Sequence, residues 1–425
     1  MVGITVGLVT VLVITQTLSV FQGNRGGIVA GADAQENGLF AMQIISGDIR
    51  GTGAGAYSSG TVSKTMFTCT NVCSYDSSNG GGNLYCSNPG GTGPVGTSPI
   101  AAMSGQPLNG ATPTYTLAVP LSPIIIESQP AGISPVVAYA PGSDVITLRS
   151  ASRFIGSVPT LVSGAVNLGA PLATLGVKRT FGFSVNDLAL ITDGTNCSVF
   201  KVTALDAAGA TLTHGAETAF NPAVGAWSGM ANGGAFGNTA QIYNLGTSAI
   251  AAVSAKEYSV SGPNGSSLQL REVKSGSAAS ALPLVLADGI VALRAQYGVA
   301  SNNASPVVAG WEGTDSADWS STWAPGVLSG ANEQLIRAVR ILVVARAPNR
   351  ESTEVTPACT TSGYTDGPCP SGGTTQSDTT LPAINLANLA WAAGGEWKHY
   401  RYKVYTTVVP LRNVLWNGSW SNQVE

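Results

Sequence analysis

Residues 1–21 read MVGITVGLVTVLVITQTLSVF, an apolar stretch without a charged side chain. No proline interrupts the segment up to residue 50, and the first basic residue is Arg25. The run approaches the roughly 20 residues that a helix needs to cross the core of a bilayer. We therefore predict that residues 1–22 form a helix that lies in a membrane or in the core of an assembly. The predicted assembly side chains are Val2, Ile4, Val6, Leu8, Val9, Val11, Leu12, Ile14, Leu18 and Phe21.

Two other interpretations of this stretch stay open. Ala30–Ala32 and Ala32–Ala34 each resemble the small-residue cleavage site of a secretory signal peptide. A signal peptide, however, has a positively charged start and a shorter apolar run than this one. The second alternative is a plain membrane anchor.

The next segment, residues 26–53, reads GGIVAGADAQENGLFAMQIISGDIRGTG and is polar but periodic. Its apolar side chains recur at helical spacing, which is typical of a helix that packs one face on a protein core. Glycine weakens a helix by about 1 kcal/mol relative to alanine, so Gly23, Gly26 and Gly27 predict a hinge or an unwound patch. The side chains predicted to pack on a globular head are Leu39, Phe40, Met42, Ile45 and Ile49.

The composition favours dense packing over nucleic-acid binding. Charged residues make up 10% of the 425-residue chain, against roughly 25% in average globular domains. Few charges mean little repulsion, which suits packing against copies of the same chain. A secreted β-rich protein with a hydroxyl-rich surface would have the same composition. The net charge of −3 gives no basic footprint for nucleic acid, and we interpret Arg401 and Lys403 as one solvated face of a strand.

Past residue 51 the pattern is one of strands and loops. Glu257–Val260 and Ser267–Arg271, separated by a Gly-Pro-Asn-Gly turn, predict a hairpin. Further strands are predicted at 188–192, 198–205, 337–346 and 400–409, and surface loops at 76–98 and 353–380.

Six cysteines in a chain with an export-type start predict disulfides. Cys359 and Cys369 flank a turn-rich loop that a local bridge would close. The other cysteines allow two more bridges, one of which would tie the early loop to the strand of Cys197. No Cys-x-x-Cys motif is present and the only histidines are His214 and His399, so we expect neither a metal nor another cofactor. The cysteines outside the local loop are Cys69, Cys73, Cys86 and Cys197.

Motifs of catalysis are missing from the sequence. It contains no nucleophile elbow, phosphate-binding loop or zinc-protease helix. We therefore expect no catalytic residue and no enzyme, with a membrane-anchored secreted hydrolase as the alternative from that class. Aromatic side chains in a polar loop can stack on sugars, although they more often pack inside the protein. On the first interpretation, a surface or a glycan is bound through Trp311, Trp319 and Trp323.

Short motifs occur in a fixed order along nearly the whole chain. The first is Gln35-Glu36-Asn37-Gly38, followed by Phe40-Ala41 and Asp48-Ile49-Arg50. The later ones are Leu188–Asp193, Cys197–Thr203, Leu286–Ile290, Gln296–Val299, Arg337–Arg346 and Thr406–Asn413. Each alone is a weak signal, but in this order they resemble the PilW-type pilins of the type IV pilus assembly family.

This resemblance implies an α+β chain with the type IV pilin fold. Such a chain has a long N-terminal helix packed on an antiparallel β-sheet head, here with a large extra β-rich lobe. The family motifs of the head begin near Phe181, which sets the second boundary. The expected parts are a helix at 1–50 (membrane or filament core at 1–22, amphipathic at 23–50), an inserted lobe at 51–180 and a head with a C-terminal disulfide loop at 181–425.

The function implied by the resemblance is that of a structural subunit of a type IV pilus or a related filament. The implied partners are other pilin subunits, of the same or another kind, the inner membrane before assembly, and the pilus assembly machinery. The subunit would then move to an extracellular filament on the cell surface. The alternative is a tip adhesin whose head loops bind a surface or a glycan.

The sequence departs from the family pattern in two places. The family's leader ends in Gly before a Phe, with a glutamate at the fifth mature position, and we expect these residues to lie before Met1. Many relatives also carry an acidic, calcium-like loop after the motif at Gln296–Val299. Residues Ala300–Ser305 contain no carboxylate, and calcium usually takes carboxylate ligands, so no metal is carried over.

Overall fold

The chain is known from a computed structural model. It describes residues 2–52, 71–76, 83–86, 124–128, 140–150, 159–169, 174–194, 196–206, 208–215, 221, 230, 232–247, 254–261, 266–273, 283–302, 305–314 and 335–411.

The N-terminal segment forms one long helix, α1, over Val2–Gly51. At 1.5 Å per residue it is about 75 Å long. The backbone is helical throughout, including Gly23, Gly26 and Gly27, so the predicted hinge is wrong. Helical bonds on both sides of the glycines outweigh their individual cost, which is small for each residue. Within the described residues, no helical stretch combines the length and the hydropathy that a membrane crossing requires.

The rest of the described chain is rich in β-strands. In chain order the first ten are β1 (Asn71–Asp76), β2 (Asn83–Cys86), β3 (Ile124–Ser128), β4 (Asp144–Ser150), β5 (Thr160–Leu161), β6 (Val166–Asn167), β7 (Thr174–Gly176), β8 (Asp187–Thr192), β9 (Asn196–Lys201) and β10 (Ala204–Leu205). They are followed by β11 (Thr211–Thr213), β12 (Ala235–Phe236), β13 (Gln241–Thr247), β14 (Ser254–Ser261), β15 (Ser267–Val273), β16 (Leu284–Asp288), β17 (Ile290–Val299), β18 (Gly310–Gly313), β19 (Ile336–Arg346) and β20 (Tyr402–Pro410). A 3₁₀ segment, Ala390–His399, lies between β19 and β20.

Two antiparallel sheets surround the main core. One has the strand order β18-β17-β19-β20 and the other β16-β15-β14-β4-β3. Both contribute to a single apolar core together with the second half of α1. The strand β19, with the sequence IRAVRILVVAR, is buried on both faces up to its last residue, as expected for a strand covered by structure on either side.

The faces of β19 look toward different parts of the chain. A Cβ on Gly38 of α1 would lie 3.2 Å from the Cβ of Ala345, so Ala345 faces the helix. Neighbouring side chains of a strand point to opposite faces. Arg346 therefore points away from α1, and its guanidinium lies 4.0 Å from the ring centroid of Trp391 in the 3₁₀ segment. The sheet is thus covered by α1 on one side and by the segment 347–400 on the other.

A second core belongs to a six-stranded sheet with the order β2-β1-β9-β8-β13-β5 and to two small sheets beside it. The buried side chains of this core run from Val162 to Ile242. Strand β5 pairs with β13, and β1 pairs in parallel with β9. Strands from both sides of residue 180 therefore share one sheet, and the expected boundary there does not separate the two cores.

The two sheets of the main core meet at the edge of β17. Leu293 donates its N–H to Oγ of Ser143 at 2.8 Å. Ala295 donates its N–H to Oδ2 of Asp144, also at 2.8 Å. The Asp144 carboxylate lies 3.2 Å from Nε of Arg294, so a nearly fully buried charge is both paired and hydrogen-bonded, as buried charges require.

Candidate assembly site

The first half of α1 exposes apolar side chains all around the helix. Nine of them are between 52% and 76% exposed: Ile4, Val6, Leu8, Val9, Val11, Leu12, Val13, Ile14 and Leu18. At Val2 and Phe21 the structure describes the backbone only, so these two predicted assembly side chains are outside the described part of the chain. Single exposed apolar residues are ordinary, whereas a continuous exposed set of this size marks a surface that other molecules cover.

Three threonine hydroxyls in this half are already hydrogen-bonded within the helix. The hydroxyl of Thr10 donates to the carbonyl oxygen of Val6 at 2.8 Å, and that of Thr17 donates to Val13 at the same distance. Thr15 bonds back to the preceding turn in the same way. Since these hydroxyls are satisfied within the helix, the surface they share can be placed in an apolar environment at little cost.

The two glycines near the start of α1 leave space on its surface. A Cβ at Gly3 or at Gly7 would meet nothing within 4 Å. They are four residues apart and on one side of the helix, which is the small-residue spacing that lets a second helix approach closely.

The second half of α1 packs on the head. Its buried apolar side chains are Ala30, Ala34, Ala41, Met42, Ile45 and Ile49. Among the predicted packing residues, Ile45 and Ile49 are completely buried and Met42 is nearly so. Leu39 and Phe40 are instead 50% and 47% exposed, on the outer side of the helix.

The helix approaches the sheet most closely at Gly38. A Cβ at this position would overlap the ring of Tyr405 on β20. The Tyr405 hydroxyl in turn donates to the carbonyl oxygen of Gln35 at 3.3 Å. A residue without a side chain is therefore required here for α1 to lie on the edge strand.

A polar contact holds the last turns of α1. Asp48 lies with its Oδ2 2.7 Å from Nζ of Lys256 on β14. The same oxygen accepts a hydrogen bond from the hydroxyl of Tyr258. All three groups are partly or fully buried, which makes this charge-assisted contact stronger than one on the open surface. It joins α1 to the sheet that does not contain β20.

The segment 347–400 covers the face of the β18-β17-β19-β20 sheet that points away from α1. A disulfide joins Cys359 to Cys369, with a Cα–Cα distance of 4.8 Å, as the sequence predicts. Arg346 is held between the rings of Trp391 and Tyr400, 4.0 and 4.6 Å from their centroids. Burial lowers the pKa of Arg346, although arginine remains charged.

The remaining cysteines lie near the six-stranded sheet. Cys197 is disulfide-bonded, and no described cysteine is free. Cys73 and Cys86 are directly opposite each other in the register of β1 and β2. The pairing of β1 with β9 brings Val72, the neighbour of Cys73, opposite Cys197. The bridge from the early loop to this strand stays a prediction. Cys69 lies outside the described residues.

The predicted surface-binding loop is described only at Trp311. This side chain is half-buried on β18 beneath Arg340, whose guanidinium lies 4.4 Å from its ring centroid. Gly298 on the neighbouring strand provides room for it, because a Cβ there would lie 2.9 Å from the indole ring. Trp319 and Trp323 lie outside the described residues, so a glycan-binding role of the loop stays a prediction.

The titratable groups of the described residues do not assemble into a recognisable reaction centre. Within that part of the chain, no three His, Cys, Asp or Glu side chains are grouped as metal ligands. His214 is buried against Phe200, with the ring centroids 5.6 Å apart. Desolvation lowers its pKa from 6.5 to about 4, so the imidazole is neutral at physiological pH. The exposed apolar surface of α1 at residues 4–18 is thus the main candidate for the functional site.

Comparison with known proteins gives a match to one family and similarities to solved structures. Residues 257–413 match the family described as type IV pilus-assembly protein W, PilW. No curated protein matches the chain. A type IV-like pilin from Thermus thermophilus is similar at 14% identity and a TM-score of 0.21, over 38% of this chain and 66% of its own. The chain thus spans just under two thirds of that pilin's length, and at this TM-score the likeness establishes neither a shared fold nor a shared role. Over residues 257–413, the resemblance to the PilW family that the sequence motifs indicate is therefore confirmed.

Proposed function

We propose that this chain is a structural subunit of a type IV pilus or a related filament and polymerises through residues 4–18 of α1. The PilW match over residues 257–413 supports involvement in type IV pilus assembly. The observation that carries the finer proposal is the exposed, uncharged apolar surface of α1, which projects from a helix whose other half is bound to the head.

The energetics favour covering this surface with like helices. Fully burying one large aliphatic side chain is worth roughly 1.5–3 kcal/mol, and nine such side chains are more than half exposed. Association costs at least several kcal/mol of lost freedom, which a surface of this size can offset. Parallel copies of α1 would bury this surface with the hydroxyls of Thr10, Thr15 and Thr17 already bonded within the helix. The exposed amide of Gln16 would take its hydrogen-bond partner from a neighbouring copy.

Before assembly, the same surface needs another apolar environment. We propose that it is the inner membrane, in keeping with the family resemblance. Residues 1–24 carry no charged side chain, so this part of the helix would bring no unpaired charge into the lipid. After assembly the head would lie outside the cell as part of the filament.

The test replaces two neighbouring apolar side chains of this surface by lysine in the full chain, Leu8→Lys with Val11→Lys. Wild-type protein, purified in detergent, should form assemblies that pellet in the ultracentrifuge after detergent removal. In the double variant we expect the pelletable fraction to fall by more than about tenfold, because charges in a helix interface are costly. The matched control, Leu8→Met with Val11→Ile, keeps the surface apolar and should assemble as wild type does.

Membrane attachment is measured with the same proteins in cells. Wild type should resist extraction of membranes at alkaline pH, and the lysine variant should be released. Equal assembly of the lysine variant and wild type would refute the proposed function, and equal release of the two proteins would refute the membrane-held state.

A further inference from the structure

A groove of about 560 Å³ lies between the second half of α1 and the start of β20. Ala34 and Gln35 line its helix side, and Ala347 and Val355 line the opposite side. Gly31 also faces this space, and a Cβ there would meet nothing within 4 Å. Polar side chains, among them Gln35 and Thr356, also line the groove, which is wide enough for a side chain from another molecule.

The rim of the groove carries an uncompensated positive charge. Arg401 and Lys403 both line it. Arg401 is paired with Glu351, with Nε 3.0 Å from Oε1, and the nearby Lys398 is 3.8 Å from Glu354. Lys403 is exposed and makes no ion pair within the described part of the chain. A net positive charge thus sits at the rim of a groove lined by both polar and apolar side chains.

The same stretch of α1 presents a negative charge toward solvent. Asp33 and Glu36 are exposed and three residues apart, and so lie on the same side of the helix. Neither has a hydrogen-bond or ion-pair partner among the residues that the structure describes. Ala30 and Ala34, by contrast, are buried toward the head. The acidic pair and the groove are therefore two different patches of one molecule.

We propose that the groove receives the acidic pair Asp33 and Glu36 of a second copy of this chain, with Lys403 as the partner charge. This inference rests on the proposed function, because it assigns a second contact to the same helix. An ion pair in a groove is shielded from water on one side, which strengthens it and fixes the register of the two helices.

The chemistry of the two patches also sets the type of symmetry. When two different surfaces of one molecule are complementary, the contact is heterologous, and copies add head to tail. Such a contact gives a ring if the rotation closes and an open helix if it does not. An apolar helix surface can slide along a neighbour, whereas a charged pair in a groove defines one position. The groove thus selects the register in which the copies add.

The test uses two charge-reversal variants of the full chain. Lys403→Glu makes both patches negative, and Asp33→Lys with Glu36→Lys makes both positive. Each variant alone should lose at least about fivefold in pelletable assembly, because like charges then meet in every contact. Equal amounts of the two variants, mixed before detergent removal, should recover assembly to within about twofold of wild type, since each contact again joins opposite charges.

A matched control tests whether reversing the charge of any exposed lysine lowers assembly. Lys178 is also exposed and has no ion pair among the described residues, so Lys178→Glu should assemble as wild type does. Undiminished assembly of the single reversals would overturn the inference. So would a mixture that fails to recover, because the groove would then hold an acidic partner other than this chain. Both outcomes leave the proposed function standing if the Leu8 and Val11 lysine variant still fails to assemble.

Discussion

The two halves of α1 belong to one helix but differ in how their apolar side chains are distributed and in how exposed these side chains are. Residues 4–18 are apolar around the whole circumference and are exposed. From Ala30 onward most apolar side chains lie on one buried face, while Leu39 and Phe40 are about half exposed on the outer side of the helix. Small residues allow the second half to lie close to the sheet, as Gly38 does beside Tyr405. A one-sided pattern suits a fixed contact within the chain, while an all-round apolar surface suits several neighbours at once.

The sharpest contrast between the halves should come from truncating one side chain in each. Ile45→Ala removes a completely buried side chain and should lower the free energy of unfolding by about 2–5 kcal/mol. Leu12→Ala removes an exposed one and should change it by no more than about 0.5 kcal/mol. Urea unfolding in detergent, followed by tryptophan fluorescence, measures both. Equal destabilisation would mean that the first half also contributes to the fold of the single chain.

The head and the exposed half of α1 should also respond differently to pH, because His214 is buried in the head. Its pKa is about 4 in the folded chain against an ordinary 6.5, because burial disfavours the charged imidazole. Stability from the neutral imidazole is complete above pH 6.5 and is lost as the pH falls toward 4. The loss should reach about 3 kcal/mol. The exposed surface at residues 4–18 has no titratable side chain, so its contacts should not change over this range.

Urea unfolding between pH 7 and pH 5 measures this effect. His214→Gln should flatten the pH dependence. An unchanged slope in the His214 variant would show that other groups carry the pH dependence.

The smallest of the three expected changes in stability comes from the close approach of α1 to β20. Alanine normally stabilises a helix relative to glycine by about 1 kcal/mol. Gly47→Ala should show this gain, because a Cβ there meets nothing within 4 Å. Gly38→Ala should instead destabilise the chain by about 1–3 kcal/mol, because the new Cβ overlaps the Tyr405 ring. A combined Gly38→Ala and Tyr405→Leu variant should recover part of the loss.

Thermal unfolding in detergent compares these glycine variants. If Gly38→Ala stabilised the chain as Gly47→Ala does, the helix would not lie close to β20 in solution.

Local sequence patterns predict the strands and turns of this chain better than they predict which distant segments contact one another. The predicted hairpin is present as β14 and β15, with Val260 opposite Leu268, and the predicted strand at 337–346 is β19. These segments have a clear period and a turn or loop at each end. The disulfide between Cys359 and Cys369 could also be predicted from the sequence, because only a short loop separates the two cysteines.

Contacts between distant segments leave no such pattern. Nothing near Asp48 indicates that its partners are Lys256 and Tyr258, about two hundred residues further along the chain. The helical spacing that identifies Ile45 and Ile49 does not settle the width of the buried stripe, and Leu39 and Phe40 at its margin are half exposed. Pairing across residue 180 depends on which strand edges meet, which is a property of the whole fold.

The edge of β17 has a consequence for how copies of this chain can join. An open strand edge offers unpaired backbone groups to any other strand, which is a route to uncontrolled aggregation. At Leu293 and Ala295 those groups are occupied by the side chains of Ser143 and Asp144. These two side chains end the backbone hydrogen-bond ladder of β17 and leave no new strand edge open. This part of the head is thereby closed to strand addition, so copies of the chain that come close together do not merge their sheets at this position.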